Sequence, residues 1–285
     1  MLLVIGLATA AGFVHALGAQ FGRLAAGAKM PQATLVLLLS AGGVVAIAPG
    51  WFLPGAALLP DPWWLAPLIG VLWAAGNACL LAALARGSAG VVVPVLSTKV
   101  VLVALGAALL GGHVQAATWF GAVLAALGIA VLRAGPRVAG TVPAMLLAAA
   151  AAVLYAAFDL LFAAYGKKLG IVGLLPAVTL WGLIVVLPLL PFARWPASGR
   201  GAALASAGLN GVQLIGLVAA IIVAGDAALP NVLYGCRGIW SVLLDLLPLP
   251  FMAVAAAAPA GGVLRRCCGA GLIAVAIGIT LLGAL

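Results

Sequence analysis

Apolar residues dominate this chain in long unbroken runs, separated by short clusters of charge, glycine and proline. A run of about 20 apolar residues is enough to cross the hydrocarbon core of a bilayer. Reading the runs between the clusters predicts ten spans: 2–22, 33–53, 65–85, 91–110, 116–133, 143–165, 171–191, 203–224, 229–252 and 267–285. The second is interrupted by Pro49 and Gly50. Only helices satisfy the backbone at this density of apolar sequence, because a membrane barrel shows alternating strands of about 10 residues. Trp51, Trp63, Trp64, Trp119 and Trp195 fall at span ends, where amphipathic rings anchor at headgroup level. The expectation is an all-α membrane protein.

The two halves resemble each other. Gly22-Arg23 after span one parallels Gly166-Lys167 after span six, and Pro31-x-x-Thr34-Leu35 parallels Pro176-x-x-Thr179-Leu180. Gly87-Ser88-Ala89 parallels Gly225-Asp226-Ala227, and the same offset pairs Lys99 with Arg237. Gly121 with Gly128 parallels Gly271 with Gly278; small residues seven apart share a helix face and let backbones approach. Duplication of five spans, an odd number, brings the second copy in from the opposite face. The chain therefore reads as ten transmembrane helices in two inverted five-helix repeats, 1–140 and 141–285, within one integral membrane domain. Such folds place their sites at the repeat interface near the midplane.

Composition agrees: 67% of the 285 residues are hydrophobic and 6% are charged, so lipid must be the solvent for most of the surface. Thirteen Lys and Arg oppose four acidic residues, all Asp, for a net charge of +9. Nucleic acid binding would need that charge clustered on a water-facing surface. Here it falls almost entirely in short loops, which points to topology and to lipid headgroups as partners and excludes nucleic acid. The Ala-, Gly- and Arg-rich usage suggests a bacterial gene, so the expected location is the cell inner membrane. Loops one, three, five, seven and nine carry Arg23, Lys29, Arg86, Arg133, Arg137, Arg194, Arg200, Arg265 and Arg266, against Lys167 and Lys168 in the even loops. That count places both termini outside the cytoplasm. The first residues lack a basic region before their apolar run, so they read as a span and not as a cleaved leader. Cys79, Cys236, Cys267 and Cys268 contain no C-x-x-C pair and indicate neither a disulfide framework nor a zinc site.

Five ionisable groups lie inside spans: His15, Lys99, Asp159, Arg237 and Asp245. A cation at the bilayer centre costs a few kcal/mol or more, so it faces a partner or a water-filled cavity. Lys99 and Arg237 occupy matching places and are candidates for holding an anionic group, Arg as a planar fork and Lys as a point charge. The alternative is an ion pair with Asp159 or Asp245 that locks helices together. Arg237 and Asp245, eight residues apart, are separated by about 12 Å along one helix and cannot pair directly. His15, Asp159 and Asp245 are candidate proton carriers, because a buried carboxylate responds to a nearby cation; a helix–helix hydrogen bond is the competing role. Asn77, four residues after Trp73, and Asn210, three before Gln213, share faces with those neighbours. With Gln213, Tyr155, Tyr234 and Trp240 they are candidate cavity-lining groups.

The five-plus-five arrangement, the G-x6-G helices in fifth and tenth place, and the stretch Gly111-Gly112-His113 through Trp119-Phe120-Gly121-Ala122 and Leu127-Gly128-Ile129 resemble the drug/metabolite transporter superfamily, specifically its EamA-type members. Asn231-Val232-Leu233-Tyr234 and Arg237-Gly238-Ile239-Trp240 resemble the ninth helix of bacterial members. Where the family commonly has Glu in the turn before the fifth helix, this chain has Gly112-His113. The resemblance implies a secondary transporter working by alternating access, with basic residues on helices four and nine for organophosphate-like substrates, and termini inside. It also implies a monomer or homodimer, since related four-helix exporters pair protomers through a similar G-x6-G helix. No G-x4-G-K-[ST] occurs, so this chain is not expected to hydrolyse ATP or to need a cofactor. Gly87-Ser88-Ala89-Gly90 is not a nucleophile elbow and no H-E-x-x-H spacing occurs, so an intramembrane enzyme is not expected. An anionic or zwitterionic small metabolite is the expected substrate.

Overall fold

The computed structural model describes residues 1–27, 30–86, 89–112, 114–133, 142–195, 198–246 and 261–284. Among them there is no strand. The helices are α1 (Leu2–Gly27), α2 (Gln32–Ile47), α3 (Leu65–Arg86), α4 (Ala89–Ser97), α5 (Lys99–Leu109), α6 (Ala116–Arg133), α7 (Val142–Val186), α8 (Arg200–Ala224), α9 (Ala228–Tyr234), α10 (Arg237–Leu246) and α11 (Gly261–Ala284). Tight 3-10 turns at Ala48–Phe52 and Leu187–Phe192 end α2 and α7. Each carries a proline at its start, Pro49 and Pro188, whose missing N–H cannot continue the α-helical ladder. The protein is an all-α membrane protein, with five helical segments among the described residues long and apolar enough to cross a bilayer. Leu2, Phe52, Leu109 and Leu282 are 75–89% exposed, an arrangement stable only where lipid replaces water. The boundary expected near residue 140 lies outside the described residues.

Spans six and seven form one helical run with a reversal inside it. Gly170 takes φ 70° and ψ 167°, a conformation that glycine alone adopts without strain. On one side of it Trp64, just before α3, meets Tyr165, and α3 itself meets α7 at Gly76 with Tyr155 and at Ala83 with Ala144 and Ala148. On the other side Gly70 meets Gly182, and Ala74 clusters with Val186. The first arm is therefore antiparallel to α3 and the second parallel to it, so the chain turns back at Gly170. Lys167 and Lys168, expected in a loop, lie inside the helical run just before that turn.

Helix α8 is embraced in the same way. It runs antiparallel to α1, with Ser206 beside Gly22, Leu209 beside Gly18 and Gly216 beside Ala11. It runs parallel to α2, with Leu38 clustering with Ala203 and Ala207, and Gly42 and Ala46 against Gly211. The largest core unites α3, α5, α7, α8 and α9 around Ile69, Trp73, Val103, Phe162, Val178, Ile221 and Val232. Helices α6 and α11 cross antiparallel, Ala117 against Gly283, Gly121 against Ala276 and Thr280, Gly128 against Gly269 and Ile273.

The glycine expectation holds on one side of that crossing only. Gly121 and Gly128 admit the α11 backbone, whereas Gly271 and Gly278 face open space. The closest approaches to backbone atoms lie elsewhere: a Cβ at Gly42 would collide with the Ala207 carbonyl, and one at Gly211 with the Gly42 carbonyl. Gly211→Val should accordingly lower stability in detergent by about 1–3 kcal/mol, the usual cost of overpacking. Gly271→Ala and Gly278→Ala should leave the melting temperature unchanged. Parallel melts of the three variants check the contrast.

Candidate functional site

The expected spans four and nine are each broken in mid-length, and the breaks build the site. Pro94 in α4 and Pro230 in α9 lack donors, and the chain tightens a few residues later. Thr98 N donates to Val95 O at 3.2 Å, and Gly235 N and Cys236 N donate to Val232 O and Leu233 O at 3.0 Å. These three-residue closures end the first half-helices. The second half-helices start at Lys99 and at Arg237, so each cation is the first residue of its half. Both breaks are fastened to neighbours. Ser97 Oγ donates to Ala126 O of α6 at 3.2 Å, and the Cys236 thiol lies 3.7 Å from Thr9 O of α1. Gly12 lets α1 lie directly on the second break, since a Cβ there would press on Cys236 and on the Arg237 amide.

A helix N-terminus carries partial positive charge, so a cation there is disfavoured by about 0.3–1 kcal/mol and calls for an anion. Lys99 has one. Its Nζ lies 2.6 Å from Oδ2 of Asp159 on α7, with Lys99 8% and Asp159 1% exposed. The same Oδ2 accepts a hydrogen bond from Asn231 Nδ2 at 2.7 Å, and Asn231 Nδ2 is itself tied to Ala227 O at 2.9 Å. Asp159 Oδ1 is buried and has no hydrogen-bond partner among the described residues.

Arg237 has none: no described carboxylate lies within ion-pair distance of it. Its guanidinium carbon stands over the Tyr234 ring, 4.4 Å from the centroid. The Tyr234 hydroxyl donates to Gln213 Oε1 at 2.7 Å, and Gln213 Nε2 donates to Asn210 Oδ1 at 3.3 Å. The Lys99 side has a similar arrangement. Lys99 Nζ is 5.8 Å from the Tyr155 ring centroid, and the Tyr155 hydroxyl donates to Asn77 Oδ1 at 2.8 Å. Each cation therefore neighbours a tyrosine whose hydroxyl is held by an amide, from α3 on one side and from α8 on the other. Asn77 Nδ2 and Asn210 Nδ2 remain buried donors without partners among the described residues. Arg237 is near enough for its charge to act on Lys99, Tyr155 and Tyr234, so the two clusters share one electrostatic neighbourhood.

The structure thus gathers Lys99 with Asp159 and Asn77 nearby, and Arg237 with Tyr234 and Gln213. His15 of α1 meets the Tyr234 ring edge-on, with centroids 5.6 Å apart. Trp240 packs edge-on against Phe13, 5.2 Å between centroids, on the outer flank of the same α1 contact. Asp245 lies near the end of α10, and its side chain is outside the described residues. Asn231 is the site residue that spacing did not single out, although an amide directly after a proline near the start of an apolar span was a readable signal. Asp226 is a second. Its carboxylate accepts from Ala228 N and Leu229 N at 3.0 Å each, fixing the start of α9 and hence the height of Asn231 and Tyr234. Among the described residues no group of three or more His, Cys, Asp or Glu side chains converges as a metal site would require.

No family model matches the chain, and none of the curated proteins does. Solved structures do: one, described only as "Crystal structure of protein", superposes with a TM-score of 0.69 over 97% of this chain and 97% of its own, at 23% identity. At that identity the likeness establishes a shared fold and nothing about activity.

Removing one partner of a buried ion pair costs about 3–5 kcal/mol, because the other is left uncompensated. Asp159→Ala should therefore melt far below the wild type in detergent. Adding Lys99→Met to it should recover most of the loss, and the two melts read together check the pairing.

Proposed function

We propose that this protein is a secondary transporter for a small anionic or zwitterionic metabolite, working by alternating access around the site at the two helix breaks. Arg237 carries the reading. It is a cation inside the bundle, at the positive end of a half-helix, stacked on an aromatic ring and without a carboxylate partner among the described residues. The guanidinium lies against the Tyr234 ring and hydroxyl, and its five N–H donors are enough to take a carboxylate or phosphate as well. Discontinuous helices whose ends converge are how many transporters present dipoles to a substrate.

The packing supports two inverted five-helix repeats. Helix α8 lies antiparallel to α1 and parallel to α2, as α3 lies antiparallel to the first arm of α7 and parallel to the second. The α6–α11 crossing pairs the fifth expected span with the tenth. Inverted repeats would relate all three arrangements by a two-fold axis in the membrane plane, and would relate the break at Lys99 to that at Arg237. With the sequence resemblance to EamA-type transporters, this favours ten crossings and rocking of the repeats about the breaks. Substrate would meet Arg237, Tyr234 and Gln213 from one repeat and Lys99 and Asn77 from the other. The Lys99–Asp159 pair joins the repeats across the site.

Arg237→Gln should weaken binding of an anionic ligand by about 1.5–3 kcal/mol, roughly tenfold to a hundredfold, the range for a hydrogen bond to a charged group. The readout is ligand-induced stabilisation of purified protein, which follows mass action. Equal affinity of wild type and Arg237→Gln for every anion that stabilises the protein would refute the assignment.

A further inference from the structure

The charges at the breaks also set how much negative charge the site can take, an inference that rests on the anion reading above. Three groups matter. Lys99 and Asp159 are in contact, and Asn231 adds a second donor to the same carboxylate oxygen, so that pair is neutral as a unit. Arg237 alone is uncompensated among the described residues. Asp226 is engaged at the start of α9, and Asp245 stands about 12 Å further along the axis from Arg237. The net charge at the site is therefore +1.

We propose that the site selects solutes bearing a single negative charge, organic monocarboxylates being the simplest class, over dianions and uncharged analogues. A monoanion brings the buried site to neutrality. A dianion leaves one charge uncompensated among apolar walls, and a neutral molecule leaves Arg237 so. Arg237 takes the carboxylate, and the Lys99–Asp159 pair stays closed while the solute is bound.

The test is stabilisation of the purified full chain by matched series run at pH 8, where every carboxyl group of the ligands is ionised. Butyrate, succinate and butyramide form one series, and benzoate, phthalate and benzamide the other. The monocarboxylate should act at concentrations at least about tenfold below its dicarboxylate, and the amide should not act. Asp159→Asn leaves Lys99 free to act as a second cation beside a bound dianion and should move the preference to the dicarboxylate. Lys99→Gln/Asp159→Asn removes the pair yet keeps the site at +1 without a stranded charge, and should return the preference to the monocarboxylate. If dicarboxylates bind the wild type as well as monocarboxylates, and Arg237→Gln weakens both, the charge count is wrong while the anion site stands. If no carboxylate stabilises the protein, or Arg237→Gln changes nothing, the anion reading itself falls, and this inference with it.

Discussion

Hydrocarbon offers no hydrogen bonds, so a charged group inside this bundle is costly unless another part of the protein answers it. The contact between Lys99 and Asp159 is where that constraint is most severe. Two charges, 8% and 1% exposed, are tolerable there because they meet at 2.6 Å and because Asn231 supplies a further donor. Three separate elements, α5, α7 and α9, must hold position for this to work. Pro230 and Asp226 set the register of α9, and Gly106 admits Leu160 of α7 against α5. The same constraint makes Arg237 conspicuous. A group that costs several kcal/mol to bury is kept with an aromatic face beneath it and no described counter-charge.

The close helix contacts follow from a second consequence of lipid as solvent. Apolar side chains gain little by leaving lipid for one another, so association depends on tight packing and interhelical polar contacts. Glycines do that here at Gly42 with Gly211 and at Gly70 with Gly182, where backbone touches backbone. These contacts lie on the two helices, α3 and α8, that also carry Asn77 and Gln213. The scaffold and the polar site are therefore built on the same rigid pair.

Much of this was legible in the sequence. Apolar run length found the helical segments, though α1 ends and α11 begins several residues outside the expected bounds, because the bilayer fixes how much apolar chain a crossing needs but not where a helix stops. Mid-span charge marked Lys99, Asp159 and Arg237, because burial without a purpose is too costly to persist. Other features were not legible. Composition describes a span as one segment, so the interruptions at Thr98 and at Gly235–Cys236 were invisible, although Pro94 and Pro230 flagged them. The turn between spans six and seven was expected, but not that helix continues on both sides of a single reversing residue, Gly170. The exposure of Gly271 and Gly278 was misread because a seven-residue spacing fixes a helix face without saying what lies opposite. The choice of Asp159 over Asp245 as the partner of Lys99 depended on helix positions that only tertiary packing sets.

The account stands on one claim: a solute crosses the membrane through the site at the two breaks by alternate exposure of that site. Counterflow in proteoliposomes addresses it most directly. Vesicles loaded with unlabelled monocarboxylate should take up labelled monocarboxylate from outside, transiently and against its own gradient, and vesicles containing Arg237→Gln should not. Passive, non-saturable entry that is the same with and without solute inside, and the same in both proteins, would contradict the claim.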